Sequence, residues 1–128
     1  MDTPETTVRE FIARINAHDV ERIVALCTAE HRFVDGVGRV LTGHEQLRAA
    51  WSGYLQLFPD YSVEIESLAV AGAVVLAAGS ASATAAPGTP RAQRWRIPAA
   101  WRAEVRGGRI DLWQVYADNT PVFELLRT

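Results

Sequence analysis

The chain has 128 residues, a formal net charge of -2 and 48% hydrophobic content, the profile of a soluble domain with one core. Its thirteen basic residues are all arginine and never form a block, which argues against a nucleic-acid partner. Cys27 is the single cysteine, the start has no basic or apolar leader, and the apolar run over 68–78 is too short for a bilayer, so a cytoplasmic protein with neither disulfide nor membrane span is expected.

Thr3 before Pro4 reads as a helix N-cap with proline at the first helical position. Val8, Phe11, Ile12 and Ile15 then repeat at helical spacing. Asn16-Ala17-His18-Asp19 breaks that helix, and Asp19 can cap a second one carrying Val20, Ile23, Val24 and Cys27 inward. There Cys27 reads as an inert buried thiol. A strand is expected at about 31–35, a turn at Gly36 and Gly38, and a brief strand at 39–41. Thr42-Gly43-His44-Glu45 has the T-x-x-E form of a capping box. The helix it opens puts Leu47, Ala50, Trp51, Tyr54, Leu55 and Phe58 on one face until Pro59 ends it.

From there the pattern is of strands. Residues 61–70 alternate, with Tyr61, Val63 and Ile65 against Ser62, Glu64 and Glu66. Gly72 turns the chain into a strand over 73–85, and Pro87-Gly88-Thr89-Pro90 is a loop. A long strand over 91–105 places Trp95, Ile97, Ala99, Trp101 and Ala103 on one face. Arg106-Gly107-Gly108 predicts a hairpin turn, 110–117 the last strand and 121–126 a short terminal helix. Helices followed by successive strands define a single α+β domain over 1–128, with helices packed on a curved antiparallel sheet. A sheet bent around helices leaves a cone, and the cone's mouth is the natural pocket.

Several of these segments resemble known families. Asn16-Ala17-His18-Asp19, Ile23-Val24-Ala25-Leu26 and Phe33-Val34-Asp35-Gly36-Val37-Gly38 resemble the N-terminal half of bacterial ketosteroid isomerases. Gly43-His44-Glu45 with Phe58-Pro59-Asp60-Tyr61 is similar to the SnoaL-like polyketide cyclases, and residues 110–118 to the last strand of limonene epoxide hydrolases. All three belong to the nuclear transport factor 2-like superfamily, so the resemblance implies its cone-shaped, cystatin-like α+β fold. In the isomerase pattern the proton-shuttling base falls on Asp35. The tyrosine oxyanion donor falls on Phe11, the protonated acid on Ala99 or Ala100, and a supporting tyrosine on Trp51. In the epoxide hydrolase pattern a tyrosine and an asparagine fall on Phe33 and Asp35, and a C-terminal aspartate on Val115. The His-Trp-Asp of the SnoaL pattern keeps only its tryptophan, Trp113. What the resemblance carries over is thus an architecture and one acid, without the steroid isomerase activity itself.

Asp35 has two readings. As a pocket base it would be partly buried beside Phe33, Trp51 and Phe58, which raises a carboxylate's pKa. As a turn residue it would stabilise Gly36–Gly38. His31 is a second candidate acid or base, against a plain place near the surface at a strand end. His18 and His44 read as exposed. His31, His44, Asp35 and Asp60 lack metal-ligand spacing, so neither metal nor cofactor is expected.

The large rings suggest more than a core. Phe11, Phe33, Trp51, Phe58 and Trp95 are expected to line a pocket for a flat hydrophobic molecule. Leu55, Trp101, Trp113 and Val115 are placed there with them. The small residues of 77–86 either leave volume free or press against another surface. Leu112, Gln114 and Tyr116, with Arg94 and Arg96, could build a homodimer through the outer sheet face. The expected function is acid–base chemistry (isomerisation, cyclisation or hydration) on a hydrophobic cyclic or polyketide-like molecule. The alternative is a non-catalytic hydrophobic-ligand-binding or dimerisation module.

Overall fold

A computed structural model describes residues 2–127; Met1 and Thr128, the ends of the expected 1–128 domain, lie outside the described residues. The elements run α1 (Pro4–Asn16), α2 (Val20–Ala25), β1 (Cys27–Val34), β2 (Val40–Thr42), α3 (Gly43–Leu57), β3 (Ser62–Ala71), β4 (Val74–Ala85), β5 (Gln93–Arg106), β6 (Arg109–Tyr116) and α4 (Thr120–Arg127). The six strands form one curved sheet in the order β2-β1-β6-β5-β4-β3. The α+β cone is therefore present, but the sheet is mixed rather than antiparallel: β1 and β6 run parallel. Strands joined by short turns must run antiparallel. β1 and β6 are joined by most of the chain, and nothing local imposes that direction.

Local chemistry sets the element ends. Thr3 and Thr6 cap α1 reciprocally: each side-chain oxygen accepts the other's backbone N–H, at 3.1 and 2.9 Å. Asp19 caps α2 through the Arg22 N–H. The capping box expected at Thr42 does not form. Thr42 is still paired in β2, and it is Gln46 whose side chain accepts the Thr42 N–H, at 2.9 Å. β1 begins at Cys27, earlier than expected, because α2 ends at Ala25. Cys27 is fully buried, and burial pushes its thiol pKa up to about 12. Between β5 and β6, Gly107 and Gly108 both take positive φ, the two-residue turn that fits strand twist.

The small-residue stretch of β4 divides its work. Ala77, Ala81, Ala83 and Ala85 face the core and are at most 5% exposed. Gly79 pairs with Ile65, where β3 bulges before Ser67. A Cβ on Gly79 would lie 1.8 Å from the Glu64 carbonyl oxygen. Only glycine permits that approach.

Candidate functional site

The concave sheet face, α3 and α4 enclose a cavity of about 390 Å³, within the range of small-molecule sites. Nine aromatic rings of the described residues stand in its wall. Phe33 meets Trp51 edge-on at 5.9 Å, and Phe58 meets Trp95 at 5.3 Å. Tyr54 stands perpendicular to Tyr61 at 5.0 Å, and Trp101 stacks on Trp113 at 6.2 Å. Ala81, Ala99 and Ala117 supply the free volume between these rings.

Of the lining residues expected from sequence, Phe33, Trp51, Phe58, Trp95, Trp101, Trp113 and Val115 are in the wall. Phe11 and Leu55 are not. Phe11 lies fully buried behind the wall, edge-on to Trp113 at 4.9 Å, and Leu55 belongs to the core. Ala99 and Ala100 point to opposite faces of β5. Ala99 faces the cavity, while Ala100 pairs with Tyr116 and lies outside the wall.

Sequence reasoning missed Tyr54, Tyr61, Asn119 and the contribution of α4, whose Val122, Phe123 and Leu126 close one side. The i, i+1, i+4 spacing of those three residues was readable. Tyr61 was visible too, as the first inward position of the alternation that continues with Val63.

Asp35 is in the cavity wall, at the turn after β1. Its Oδ1 accepts the N–H of Val37 at 3.0 Å and of Arg39 at 2.9 Å, and its Oδ2 accepts Arg39 Nε at 2.9 Å. Partial burial works to raise its pKa, but these hydrogen bonds and the Arg39 charge outweigh it, and the carboxyl titrates below its ordinary value. Asp35 and Arg39 are the charged residues among those described in the wall, and they cancel.

His31 is fully buried, not near the surface. Its position in β1 turns it inward beneath Phe11, with ring centroids 6.5 Å apart. Nδ1 donates to the Ile110 carbonyl at 2.8 Å, which leaves Nε2 a bare acceptor without a partner among the described residues. Burial lowers the pKa of this histidine. It lies outside the cavity wall and is not brought together with Asp35 there. His18 and His44 are part-buried rather than exposed. Each Nε2 bonds a backbone carbonyl, that of Tyr61 at 2.6 Å and that of Cys27 at 3.0 Å. Among the described residues no three His, Cys, Asp or Glu side chains are grouped to hold a metal.

Asn16-Ala17-His18-Asp19 has a positioning role. Asn16 grips Val63 with both side-chain atoms, accepting its N–H at 2.8 Å and donating to its carbonyl at 2.9 Å. With the His18–Tyr61 bond, the α1–α2 turn thus fixes the start of β3 and with it one end of the cavity.

On the outer sheet face, Leu112 is 3% exposed and unavailable to a partner. Its register neighbours Arg32 and Glu104 approach to 3.4 Å. Tyr116 and Leu76 remain about half exposed.

A curved sheet closed by helices over a ring-lined cavity defines a protein of the nuclear transport factor 2-like, α+β cone class. Within that class the chain belongs to the SnoaL-like domain family, whose model matches residues 8–113. Solved structures agree on the fold. A ketosteroid isomerase-like fold protein from Catenulispora acidiphila, in complex with trimethylamine, is 22% identical, with 86% of this chain and 83% of that one covered and a TM-score of 0.77. TerC co-crystallised with polyporic acid is 15% identical, covered over 98% and 100%, TM-score 0.83. SalBIII, an epoxide hydrolase/cyclase-like enzyme in pyran ring formation in the polyether salinomycin, is 22% identical, covered over 91% and 92%, TM-score 0.81. No curated protein matches the sequence. Among the described residues no helix is long and apolar enough to cross a membrane.

Proposed function

We propose that this chain takes a neutral, flat, hydrophobic cyclic or polyketide-like molecule into its aromatic cavity. The observation carrying this reading is a ring-walled volume of about 390 Å³ whose two charged groups are paired with each other. A net-charged ligand would find no uncompensated partner there, whereas a flat ring system gains contact on several faces. Two proteins of the same fold hold small molecules, polyporic acid and trimethylamine. All four tryptophans line the cavity, so their fluorescence reports any occupant. A panel of steroid-like and polyketide-like ring compounds should shift or quench it. Silence across the whole panel would refute the reading.

A second reading adds acid–base catalysis (isomerisation, cyclisation or hydration) at Asp35. One observation favours it: the carboxylate belongs to the cavity wall. Arg39 is the obstacle, but its side chain is 79% exposed and such pairs are weakly held. A bound substrate could therefore displace it. Asp35→Asn still accepts the Val37 and Arg39 N–H groups, so the turn should survive. Loss of turnover with unchanged ligand affinity supports catalysis; unchanged turnover removes Asp35 from the chemistry. The half-exposed Tyr116 and Leu76 make the outer sheet face our proposed homodimer surface, to be read from the solution mass of wild type against Tyr116→Arg.

A further inference from the structure

The polar groups of the cavity that are not already used are few, and one stands apart. Tyr61 is 8% exposed, and the hydrogen bonds it makes among the described residues are through its backbone, not its hydroxyl. Among the described residues, the unpartnered polar side-chain atoms sealed from free space are His31 Nε2 and Trp95 Nε1. The Tyr61 hydroxyl is not sealed in that way, and the residue lines the cavity. A hydroxyl that opens on the cavity without a protein partner is left to water there, and a ligand oxygen can take that water's place as acceptor.

The surroundings hold this phenol in place. Its ring lies perpendicular to Tyr54 and is tilted by 49° against Trp95, at a centroid distance of 6.4 Å. Its backbone is fixed from two sides: the Tyr61 N–H donates to the Phe58 carbonyl at 3.0 Å, and His18 bonds the Tyr61 carbonyl. Burial, then the neighbouring Tyr54, pushes the Tyr61 pKa well above the ordinary tyrosine value. The hydroxyl therefore keeps its proton and can donate throughout the neutral range. Tyr54, pushed up to about 12 by burial, is 37% exposed and can be served by water. Trp95 adds an unpaired indole N–H in the same ring cluster, though enclosed. This end of the cavity is thus short of acceptors.

We infer that Tyr61 is the specificity-determining donor of the site, selecting flat ring molecules that carry a carbonyl or ether oxygen over pure hydrocarbons of the same shape. The inference rests on the proposed ligand-binding function and names the ligand chemistry that function would select. The α1–α2 turn is the positioning element, since it anchors the Tyr61 carbonyl.

The test compares 1-tetralone with tetralin, which share a two-ring frame and differ by the ketone oxygen. Affinities for wild type and Tyr61→Phe are measured by calorimetry, with the four indole N–H signals followed by NMR. The variant keeps the ring, so its fold should persist; an unchanged near-ultraviolet circular dichroism spectrum checks this. Tyr61→Phe should weaken 1-tetralone by about 2- to 13-fold, the range of one net hydrogen bond, and leave tetralin within about 1.5-fold. Comparing the two losses cancels the difference in water solubility between the probes. Equal effects on both ligands, or none on either, would overturn the assignment while leaving the cavity reading intact. If neither probe binds wild type while other flat ring compounds do, Tyr61 does not select by oxygen chemistry, and the assignment is again overturned. Failure of every ring compound to bind would refute the cavity reading and this inference together.

Discussion

Replacing Gly79 by alanine sets a methyl group against a strand that is already there. The added Cβ would lie 1.8 Å from the Glu64 carbonyl oxygen, 2.9 Å from its carbon and 3.0 Å from Ile65 Cα. All three are backbone atoms, so no side chain can rotate away. Real Cβ atoms essentially never come within 3.0 Å of such neighbours, so β3 must back away by more than ~1 Å from a normal spacing of ~4.8 Å. Two ladder hydrogen bonds lost at about 1 kcal/mol each, plus an overpacking cost of about 1–3 kcal/mol, give a destabilisation of about 3–5 kcal/mol. For a chain of this size that is a fall in melting temperature of ~10–20 °C. Urea and thermal melts followed by tryptophan fluorescence measure it. Gly53→Ala is the counterpart. Gly53 lies in α3 with nothing within 4 Å of its added Cβ, so alanine there should stabilise by about 0.5–1 kcal/mol. A Gly79→Ala variant within about 0.5 kcal/mol of wild type would refute the close approach of β3 and β4.

Three other outcomes follow from the same geometry. Burial lowers the His31 pKa from 6.5, so the unfolded chain binds that proton first. Its contribution to stability is whole above pH ~6.5 and is lost as pH falls toward the folded-state value, at a slope of up to ~1.4 kcal/mol per pH unit. His31→Gln should flatten this part of the stability–pH curve from urea melts, and equal slopes would exonerate His31. At lower pH the carboxyl of Asp35, held below its ordinary value, gives stability present above the unfolded pKa and lost as pH falls through the folded one; Asp35→Asn should remove that acid limb. Ala99→Leu projects three carbons into the cavity and should weaken any flat-ring probe by about tenfold, ~1.4 kcal/mol, without lowering the melting temperature. Undiminished binding would place the ligand elsewhere.

The fold was largely legible because its signals are local. Val8, Phe11, Ile12 and Ile15 repeat at helical spacing, Trp95 to Ala103 alternate, and Gly107-Gly108 dictates a turn; each needs only neighbouring residues. The parallel pairing of β1 with β6 was not legible, since it joins segments with no local signal for one another. The site shows the same division. The rings that alternate along β5 and β6 reached the wall as expected, but Phe11 sits one layer behind Trp113, and layer depth does not show in periodicity. The turn at Asp35 is legible from Gly36 and Gly38, while the clamp by Arg39, which lowers the carboxyl's pKa where burial alone would raise it, depends on how the turn closes. Tyr61 and Phe123 were read as ordinary members of a strand and a helix because their cavity role depends on what those elements face.

The parallel seam also governs the order in which the molecule can form. β1 is made well before its central partner β6, with Cys27 opposite Ile110. Until most of the chain has been made, one edge of β1 is open, and β2 covers only the other. Such long-range closure slows folding, and an open edge during synthesis invites pairing with other chains. A fragment that stops before β6 would keep α1, α2, α3 and the β3–β4–β5 strands but lack both β6 and α4, so it would never close the cone, and completion of the sheet and creation of the cavity are a single late event.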